Sequence, residues 1–425
     1  MKINEALKKL DFSVNKEEMN SINKETKVFI DCLKENIKKK KINAEVFIGG
    51  SFAKGTLAAS EEYDIDVFVR FDWKYEDLSR LLEDVLNGVS KTLKLNLTRM
   101  HGSRDYFRIE KDKKLTFEVV PVLKIKKVKE ARNVTDQSYF HVNYVKRNLN
   151  DKMRREILLL KKFCKAARVY GAESYINGFS GYGIECLIIQ YKTFEKTLKE
   201  LIKVKLEERL ILDPAKSYKN KKDIFLNVNE NKIRGPVVLI DPTWKERNIL
   251  SALNWITLKK FQESAEEFLR KPSEKFFYVK EFDENTFRNK AKNHELLKIR
   301  LETDRQEGDI AGTKLKKFSK FLLVEIKKYF ELIEEEFVYE GEKEANLHVI
   351  LKSKKEIVKM GPALERKDDV KAFKKVNKDT FEKNDHIHAR KKIDFTARKF
   401  IENFAKAEKK RKLKEMGIIE MSIEK

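Results

Sequence analysis

The segment from Val46 to Phe71 holds the residues with the clearest potential for chemistry. Two carboxylates, Asp64 and Asp66, are separated by one residue in a run of β-branched and aromatic side chains. Because side chains alternate along a strand, both carboxylates share one face while Ile65 points to the other. Neighbouring carboxylates resist ionising together unless a cation lies between them, and such oxygen ligands suit Mg²⁺. The spacing alone, however, is more typical of an exposed strand edge.

A glycine-rich turn precedes this pair. Gly49, Gly50 and Ser51 lie between a predicted strand and a short helix expected to start near Phe52. Glycines let the backbone approach a ligand, and the freed amides with the serine hydroxyl form an anion cradle. An ordinary strand-to-helix turn has the same composition, and the Gly-Lys-Ser/Thr ending of a P-loop is missing. A cradle followed by an Asp-x-Asp strand is a much rarer combination than either part.

This combination resembles the signature of the polymerase-β nucleotidyltransferase superfamily. The resemblance implies two Mg²⁺ ions, one activating a primer 3′-hydroxyl and the other stabilising the pyrophosphate leaving group. It also implies three catalytic carboxylates that hold the metal, namely Asp64, Asp66 and a third from a later strand. Glu118, in the sequence Phe117-Glu-Val-Val-Pro121, occupies the third position. The family pattern has Asp there, so this glutamate is a departure.

Further segments are similar to the archaeal CCA-adding enzymes: Val169–Glu173, Gly178–Glu185, Asp241–Asn248, and Gly361–Pro362 with Val370–Phe373. The resemblance implies template-independent addition of C, C and A to the 3′ end of tRNA from CTP and ATP. The alternatives are a poly(A)- or oligoadenylate-type transferase and an RNA-binding protein with a catalytically dead transferase fold. Retention of Asp64 and Asp66 argues against the last of these.

The same resemblance implies a set of nucleotide-binding residues. They are Gly50, Ser51, Lys54, Arg104, His141, Lys161, Tyr170 and Arg247. Lys161 and Tyr170 are expected at the triphosphate, with help from Ser51, Arg104 and His141, whereas Arg247 is expected where the incoming base and the RNA end are read. Without the resemblance, the sequence favours a solvent-exposed helix position for Lys161 and a position in the hydrophobic core for Tyr170.

Charge supports a polyanionic partner. Lys and Arg total 93 against 69 Asp and Glu, which gives a net charge of +24 and a pI near 9.5. Nucleic acid is the first candidate partner for such an excess of positive charge, and an anionic membrane is the second. A lysine-rich or heat-adapted proteome produces the same bias in composition. No apolar run of about 18 residues and no signal-peptide core occur, so we expect a soluble cytoplasmic protein. Cys32, Cys164 and Cys186 predict neither a disulfide framework nor a zinc site.

The elements that must position these residues begin as alternating strands and helices. The patterns predict a helix over Lys24–Lys38 and another over Asp77–Leu93. They predict strands at Ala44–Ile48, Ile65–Phe71 and Leu115–Leu123. This interleaving indicates a sheet covered by helices.

From about Asp151 the pattern becomes helical. Helices are predicted at Arg154–Tyr170, at Gly181 to about Lys205 with Ser180 as N-cap, from near Arg247, and at Thr313–Glu336. Strands are predicted at Phe276–Phe282 and Lys292–Leu301.

We therefore expect an α+β protein. Residues 1–140 should form a palm-like catalytic domain with a mixed sheet, residues 141–270 a helical central domain, and residues 271–425 a mixed α/β body and tail that binds tRNA. The basic end would contact RNA through Arg390, Lys391, Lys392, Arg398 and Lys399, with a further basic run at Lys409–Lys412. A charged, solvated helix is the alternative for these runs. Oligomeric state does not follow from the sequence.

Overall fold

The computed structural model describes residues 3–206, 208–406 and 408–424, without the side chains of 408–410. The chain divides into two compact units, Met1–Lys280 and Glu281–Lys425. The predicted division at residues 140 and 270 is finer than this and stays a prediction.

The first unit opens with a mixed sheet. Its strands are β1 (Ala44–Ile48), β2 (Tyr63–Phe71), β3 (Asn96–Met100), β4 (Tyr106–Glu110) and β5 (Leu115–Leu123). They lie in the order β1-β2-β5-β4-β3, with β2 and β5 parallel and the other neighbours antiparallel. Along β2, Ile65 and Val67 are fully buried while Asp64 is exposed. The predicted alternation is confirmed, and it puts the carboxylates on the face away from this core.

Two helices of this region, Lys16–Lys39 and Leu78–Leu93, cover the opposite face of the sheet. The helices of this region are α1 (Ile3–Lys8), α2 (Lys16–Lys39), α3 (Gly50–Lys54), α4 (Leu78–Leu93) and α5 (Ser138–Asn148). The ring of Phe29 in α2 stacks on Phe117 of β5 at 4.1 Å. Because Glu118 follows Phe117 in the strand, its side chain points to the other face. The predicted helix at Lys24–Lys38 starts earlier, since the side chain of Asn15 caps α2.

The rest of the first unit is mainly helical. Its helices are α6 (Asp151–Ala166), α7 (Gly181–Tyr191), α8 (Phe194–Ile202), α9 (Lys221–Asn227) and α10 (Trp255–Arg270). Its strands are β6 (Leu210–Leu212), β7 (Val237–Asp241) and β8 (Trp244–Asn248), in the order β6-β7-β8. Buried phenylalanines pack edge to face in the core, for example Phe163 against Phe261 with ring centroids 5.7 Å apart.

Two helix predictions in this region are wrong. Ser180 caps α7 as expected, but the helix ends at Tyr191, because Lys192 has a φ of 73° and Thr193 then caps α8. Arg247 does not begin a helix; it lies in β8, which pairs with β7, and the next helix starts only after the Asn254 cap. Pairing in a hairpin with the strand directly before it overrode the local helical pattern.

The second unit contains two antiparallel sheets. Its helices are α11 (Glu284–Ala291), α12 (Asp309–Lys327), α13 (Lys367–Val376), α14 (Ala397–Phe404) and α15 (Glu408–Glu415). Its strands are β9 (Glu295–Glu302), β10 (Phe330–Val338), β11 (Glu344–Ser353), β12 (Glu356–Ala363), β13 (Thr380–Lys383), β14 (His386–Lys392) and β15 (Glu420–Glu424). The sheet orders are β10-β11-β9-β15 and β12-β14-β13.

Here the strand predicted at Lys292–Leu301 is present as β9, and two other predictions are wrong. The predicted helix Thr313–Glu336 stops at Lys327, and its last third is the strand β10, which pairs with β11. The strand predicted at Phe276–Phe282, which spans the boundary between the two units, is absent; a 3-10 turn at Glu274–Phe277 takes part of its place.

Cys32, Cys164 and Cys186 are buried free thiols. Among the helices of the described ranges, none combines the length and apolar character that crossing a bilayer requires.

Candidate active site

Three acidic side chains form a row on the open face of the first sheet. Asp66 in β2 is in register with Glu118 in β5, and Asp64 lies two residues before Asp66 on the same face. We call these three residues the carboxylate row. Burial raises the pKa of Asp66 to about 6, and the charge of Asp64 adds to the shift while that of Lys54 opposes it. Burial likewise raises the pKa of Glu118 to about 7, with added repulsion from Asp66 and Asp64.

The carboxylate row has the chemistry of a divalent-cation site. Its members repel one another, and the guanidinium of Arg108, 3.5 Å from Glu118, is a weak counter-charge for them. Oxygen donors crowded in this way fit Mg²⁺. Within the described ranges, no group of three or more His, Cys, Asp or Glu side chains is arranged to hold a metal ion by itself. An ion at the carboxylate row would therefore need further ligands, such as water and substrate phosphates.

The glycine turn, Gly49–Ser51, lies directly against the carboxylate row. The amide of Gly49 donates to the carbonyl of Asp66 at 2.8 Å. Gly50 has a φ of 58°, and a Cβ atom there would lie 1.7 Å from Oδ2 of Asp66. Only glycine fits a position with both constraints. A ligand held at the turn would therefore be next to the carboxylate row.

Glu185 holds the two lysines that were predicted to bind nucleotide. Its fully buried carboxylate accepts from Nζ of Lys54 at 2.6 Å and from Oγ1 of Thr56 at 2.6 Å, and Nζ of Lys161 lies 3.4 Å away. Lys161 also donates to the carbonyl of Thr56 at 3.0 Å and is only 4% exposed. Neither lysine is a solvated surface residue. The sequence contained Glu185 within a matching segment but offered no local reason to single it out.

Asp241 is a second buried carboxylate that sequence reasoning missed as a site residue. Its Oδ2 atom accepts from Nη1 of Arg247 at 2.7 Å and lies 3.1 Å from Nε2 of His141. Its Oδ1 atom accepts from the hydroxyl of Tyr182 at 3.2 Å. The imidazole of His141 stacks on the Tyr182 ring with centroids 4.3 Å apart. One carboxylate therefore holds two of the predicted nucleotide-binding residues.

Asp136 is a further buried carboxylate, and it holds Arg104, another of the predicted nucleotide-binding residues. The guanidinium of Arg104 donates to the Asp136 carboxylate and to the carbonyl of Pro121 in β5. Asp136 also accepts from the amide of Leu123 at 2.9 Å. Arg104 thus braces the end of β5, the strand that carries Glu118.

Tyr170 lies near the start of α7. Its hydroxyl lies 3.1 Å from the point where a Cβ atom of Gly181 would be, so the ring covers that glycine. Nζ of Lys165 lies 5.2 Å from the centre of the Tyr170 ring. Burial lowers the pKa of Lys165, and the charge of Asp64 opposes that shift. Lys165 is therefore a cation within electrostatic reach of the carboxylate row that sequence reasoning did not select.

The residues expected to contact RNA lie in the second unit. Arg390, Lys391 and Lys392 are exposed on β14, and the guanidinium of Arg390 lies 4.7 Å from the centre of the Phe381 ring. Arg398 and Lys399 are exposed on α14, whose apolar side is buried. In the basic run Lys409–Lys412, the side chains of the first two residues lie outside the described residues.

Comparison with known proteins decides the family. A family model for the nucleotidyltransferase domain matches residues 28–155, and a model for the second domain of tRNA nucleotidyltransferases matches residues 155–278. The CCA-adding enzyme of Sulfurisphaera tokodaii is 31% identical over 310 residues, which cover 72% of this chain and 68% of that enzyme. The chain belongs to the CCA-adding enzyme family.

Other members of the family match over shorter lengths. The CCA-adding enzyme of Nanoarchaeum equitans is 39% identical over 213 residues, which cover 50% of this chain. This chain spans 52% of that enzyme and 49% of the one from Thermoplasma volcanium, about half of each.

A solved structure of Cid1, reported for its RNA terminal uridylyl transferase activity, shows the same fold. It superposes with a TM-score of 0.50 at 11% identity, covering 66% of this chain and 98% of Cid1. The α+β nucleotidyltransferase fold is therefore confirmed.

Proposed function

We propose that this chain adds C, C and A to the 3′ end of tRNA, using CTP and ATP and releasing pyrophosphate. One observation carries the proposal: the carboxylate row lies directly against the glycine turn in a chain that belongs to the CCA-adding family. A metal-binding face beside a phosphate cradle is what transfer of a nucleotide to a 3′-hydroxyl needs.

The carboxylate row and the glycine turn would have separate roles in nucleotide transfer. Two Mg²⁺ ions held by Asp64, Asp66 and Glu118 would supply activation of the 3′-hydroxyl and stabilisation of the pyrophosphate charge. The amides of Gly50 and Ser51 and the hydroxyl of Ser51 would bind phosphate oxygens.

Cations around the glycine turn would stabilise the negative charge of the triphosphate, either through their positive potential or by direct contact. Lys54 and Lys161 are buried and bonded within the protein, so they would act mainly through their positive potential. Lys165 and Tyr170 lie nearer to solvent and could reach a phosphate directly. Arg104 would act indirectly, because its guanidinium is committed to Asp136 and to β5.

The partner we propose is tRNA, and the compartment is the cytoplasm. The net charge of +24 supports a polyanionic partner. The exposed cations of β14 and α14 would bind RNA phosphates, and residues 271–425 would provide this tRNA-binding region. Residues 1–140 would carry the catalytic chemistry, with residues 141–270 completing the nucleotide site.

The test offers the protein Mg²⁺, tRNA lacking its terminal CCA, and single nucleotides or their mixtures. The proposed function predicts two additions with CTP alone and a third with CTP and ATP together. Repeated addition from ATP alone would instead indicate a poly(A)-type transferase, and tRNA binding without extension would indicate a dead homologue. Asp66→Ala is the inactive reference, and Asp84→Ala, an exposed acidic position on α4, is the matched control.

A further inference from the structure

Arg108 brings a positive charge to the open face of the first sheet, beside the carboxylate row. It lies in β4, in register with Glu118 of β5 on one side and with Thr98 of β3 on the other. Its neighbours Phe107 and Ile109 are fully buried, so the side chain of Arg108 points to the opposite face. That side chain keeps 36% of its surface exposed. A ligand above the carboxylate row can therefore reach the guanidinium.

Most hydrogen-bond donors of this guanidinium are unused. An arginine side chain has five N–H donors and stays charged in proteins. Among the residues that the structure describes, Arg108 bonds to one acceptor, Oε1 of Glu118, through Nη2 at the long distance of 3.5 Å. Its Nε atom is buried and has no hydrogen-bond partner in the same ranges. Since a buried donor without a partner is costly, the guanidinium is suited to bind a further acceptor.

The glycine turn and Arg108 lie on opposite sides of the carboxylate row. The turn follows β1, and the amide of Gly49 donates to the carbonyl of Asp66 in β2. Asp66 is in register with Glu118 of β5, and Glu118 is in register with Arg108 of β4. The order β1-β2-β5-β4 therefore places the two strands that carry the carboxylate row between the turn and Arg108.

Nucleotide transfer has two opposite sides as well. In displacement at the α-phosphate, the attacking oxygen and the leaving pyrophosphate are roughly in line, on opposite sides of the phosphorus. With the triphosphate at the glycine turn, the leaving group is on the β1 side of the carboxylate row. The 3′-hydroxyl then approaches from the β4 side, and the RNA backbone behind it carries a negative phosphodiester. Arg108 lies on that side.

We propose that Arg108 binds the phosphodiester that precedes the last nucleotide of the RNA and thereby positions the 3′-hydroxyl for attack. Guanidinium groups bind phosphate oxygens through paired hydrogen bonds, which fits a side chain with several unused donors. The contact with Glu118 keeps this cation next to the carboxylate row, where it lessens the repulsion between the carboxylates and the RNA. This inference rests on the proposed function, because it takes the 3′ end of tRNA as the attacking partner.

The first test measures tRNA binding without transfer. The full chain is mixed with Mg²⁺ and labelled tRNA that lacks CCA, in the absence of nucleotide. Arg108→Gln should weaken binding about fivefold and reduce the slope of log affinity against log salt by about one, the effect of one lost phosphate contact. Arg99→Gln is the matched control and should change neither, since Arg99 lies on the opposite face, over the Phe107 ring. Equal salt slopes for Arg108→Gln and wild type overturn the proposal.

The second test identifies the phosphate. The last phosphodiester of the tRNA is replaced by an uncharged methylphosphonate, and single-turnover addition of CMP is measured. The wild type and Arg99→Gln should lose about fivefold in kcat/KM, whereas Arg108→Gln should lose nothing further, because the contact is already absent. The same replacement two linkages earlier in the RNA is the control and should affect all three proteins equally. An equal penalty from the last linkage in wild type and Arg108→Gln overturns the proposal.

These measurements separate the proposal from its alternatives. If Arg108 bound the triphosphate instead, Arg108→Gln would raise the CTP concentration needed and would leave the RNA salt slope unchanged, which overturns the proposal. If Arg108→Gln does not fold, the wild type decides, because undiminished CMP addition to the RNA with the terminal methylphosphonate also overturns it. A wild type that binds tRNA but adds no CMP rejects the proposed function, whereas the salt slope still decides whether Arg108 contacts the RNA.

Discussion

Glu118 is the residue at which this chain departs from the family pattern. Its Cα is paired with that of Asp66 across two parallel strands, and its carboxylate contacts Arg108 on the neighbouring strand at 3.5 Å. The register therefore supports a metal-binding role despite the extra methylene. Burial and the other carboxylates raise the pKa of Glu118 to about 7, and a bound cation would favour its charged form.

We expect Glu118→Ala and Glu118→Gln to slow CMP addition by about 100-fold or more, since both remove the charge that holds Mg²⁺. Glu118→Asp should stay active, because it restores the residue of the family pattern. Single-turnover addition at varied Mg²⁺ measures all three variants. Near-wild-type rates for both Ala and Gln would make Glu118 a structural residue.

Glu185 is the residue whose loss should affect stability most directly. Its side chain is 1% exposed and faces two buried ammonium groups, those of Lys54 and Lys161. Removing one partner of a buried ion pair leaves an uncompensated charge. We expect Glu185→Gln to lower the free energy of unfolding by about 3 kcal/mol, measured by urea denaturation.

The double variant Glu185→Gln with Lys161→Met removes an ammonium group together with the carboxylate. It should lose less stability than the two single losses added together, because the two sites interact directly. Strict additivity would show that the charges of Glu185 and Lys161 do not stabilise each other.

At the scale of elements, the glycine turn and β2 act as one unit. The turn requires the left-handed backbone of Gly50 and the absence of a side chain against Asp66. The turn and the strand are joined by the hydrogen bond from Gly49 to the carbonyl of Asp66. The position of the cradle is therefore coupled to the position of the carboxylate row.

Gly50→Ala should accordingly lower both stability, by about 1–2 kcal/mol, and nucleotide addition, because the new methyl group displaces Asp66. Gly308→Ala is the matched control: its φ is also positive, at 80°, but nothing lies within 4 Å of the new Cβ atom. The control should lose stability without loss of catalysis in the folded fraction. Equal addition rates for folded Gly50→Ala and wild type would contradict the coupling.

At the scale of the whole molecule, catalysis and RNA affinity should depend on different residues. The carboxylate row lies in the first unit, whereas the exposed cations of β14 and α14 lie in the second. Truncation near residue 385 would not separate the two roles, because β14 is the central strand of its sheet and α14 buries Ile401 and Phe404. Charge substitutions on the surface leave those cores intact.

We expect Asp66→Ala to abolish addition and to leave tRNA affinity nearly unchanged. The combined change of Lys391, Lys392, Arg398 and Lys399 to Gln should weaken tRNA binding and reduce the slope of log affinity against log salt by about one for each RNA phosphate that is no longer neutralised. Gln at Lys16, Lys24, Lys34 and Lys38 of α2 provides a control with the same charge change. An unchanged salt slope in the first set would remove these residues from the RNA-binding surface.

Local features of the sequence predicted the shared face of Asp64 and Asp66 and the glycine turn, whereas the family resemblance added Glu118 to the carboxylate row. Alternation along a strand placed Asp64 and Asp66 on one face, and strand bounds such as Leu115–Leu123 agree with the structure. Such patterns depend on a few neighbouring residues, so they can be read before the chain is folded. The family-specific segments extended the prediction to function in the same way, because each is a short continuous stretch.

Only the tertiary structure decided which partners hold the predicted cations. Lys54 reaches Glu185 across 131 positions, and His141 reaches Asp241 across 100. No periodicity encodes a hydrogen bond between side chains so far apart, since their meeting depends on how whole elements pack. β8 is a different case, because Arg247, where a helix was predicted to begin, lies in a hairpin with β7, and only Pro242 and Thr243 separate the two strands. Burial also lowers the pKa of His141 and raises those of Asp66 and Glu118, because desolvation exists only in the folded chain.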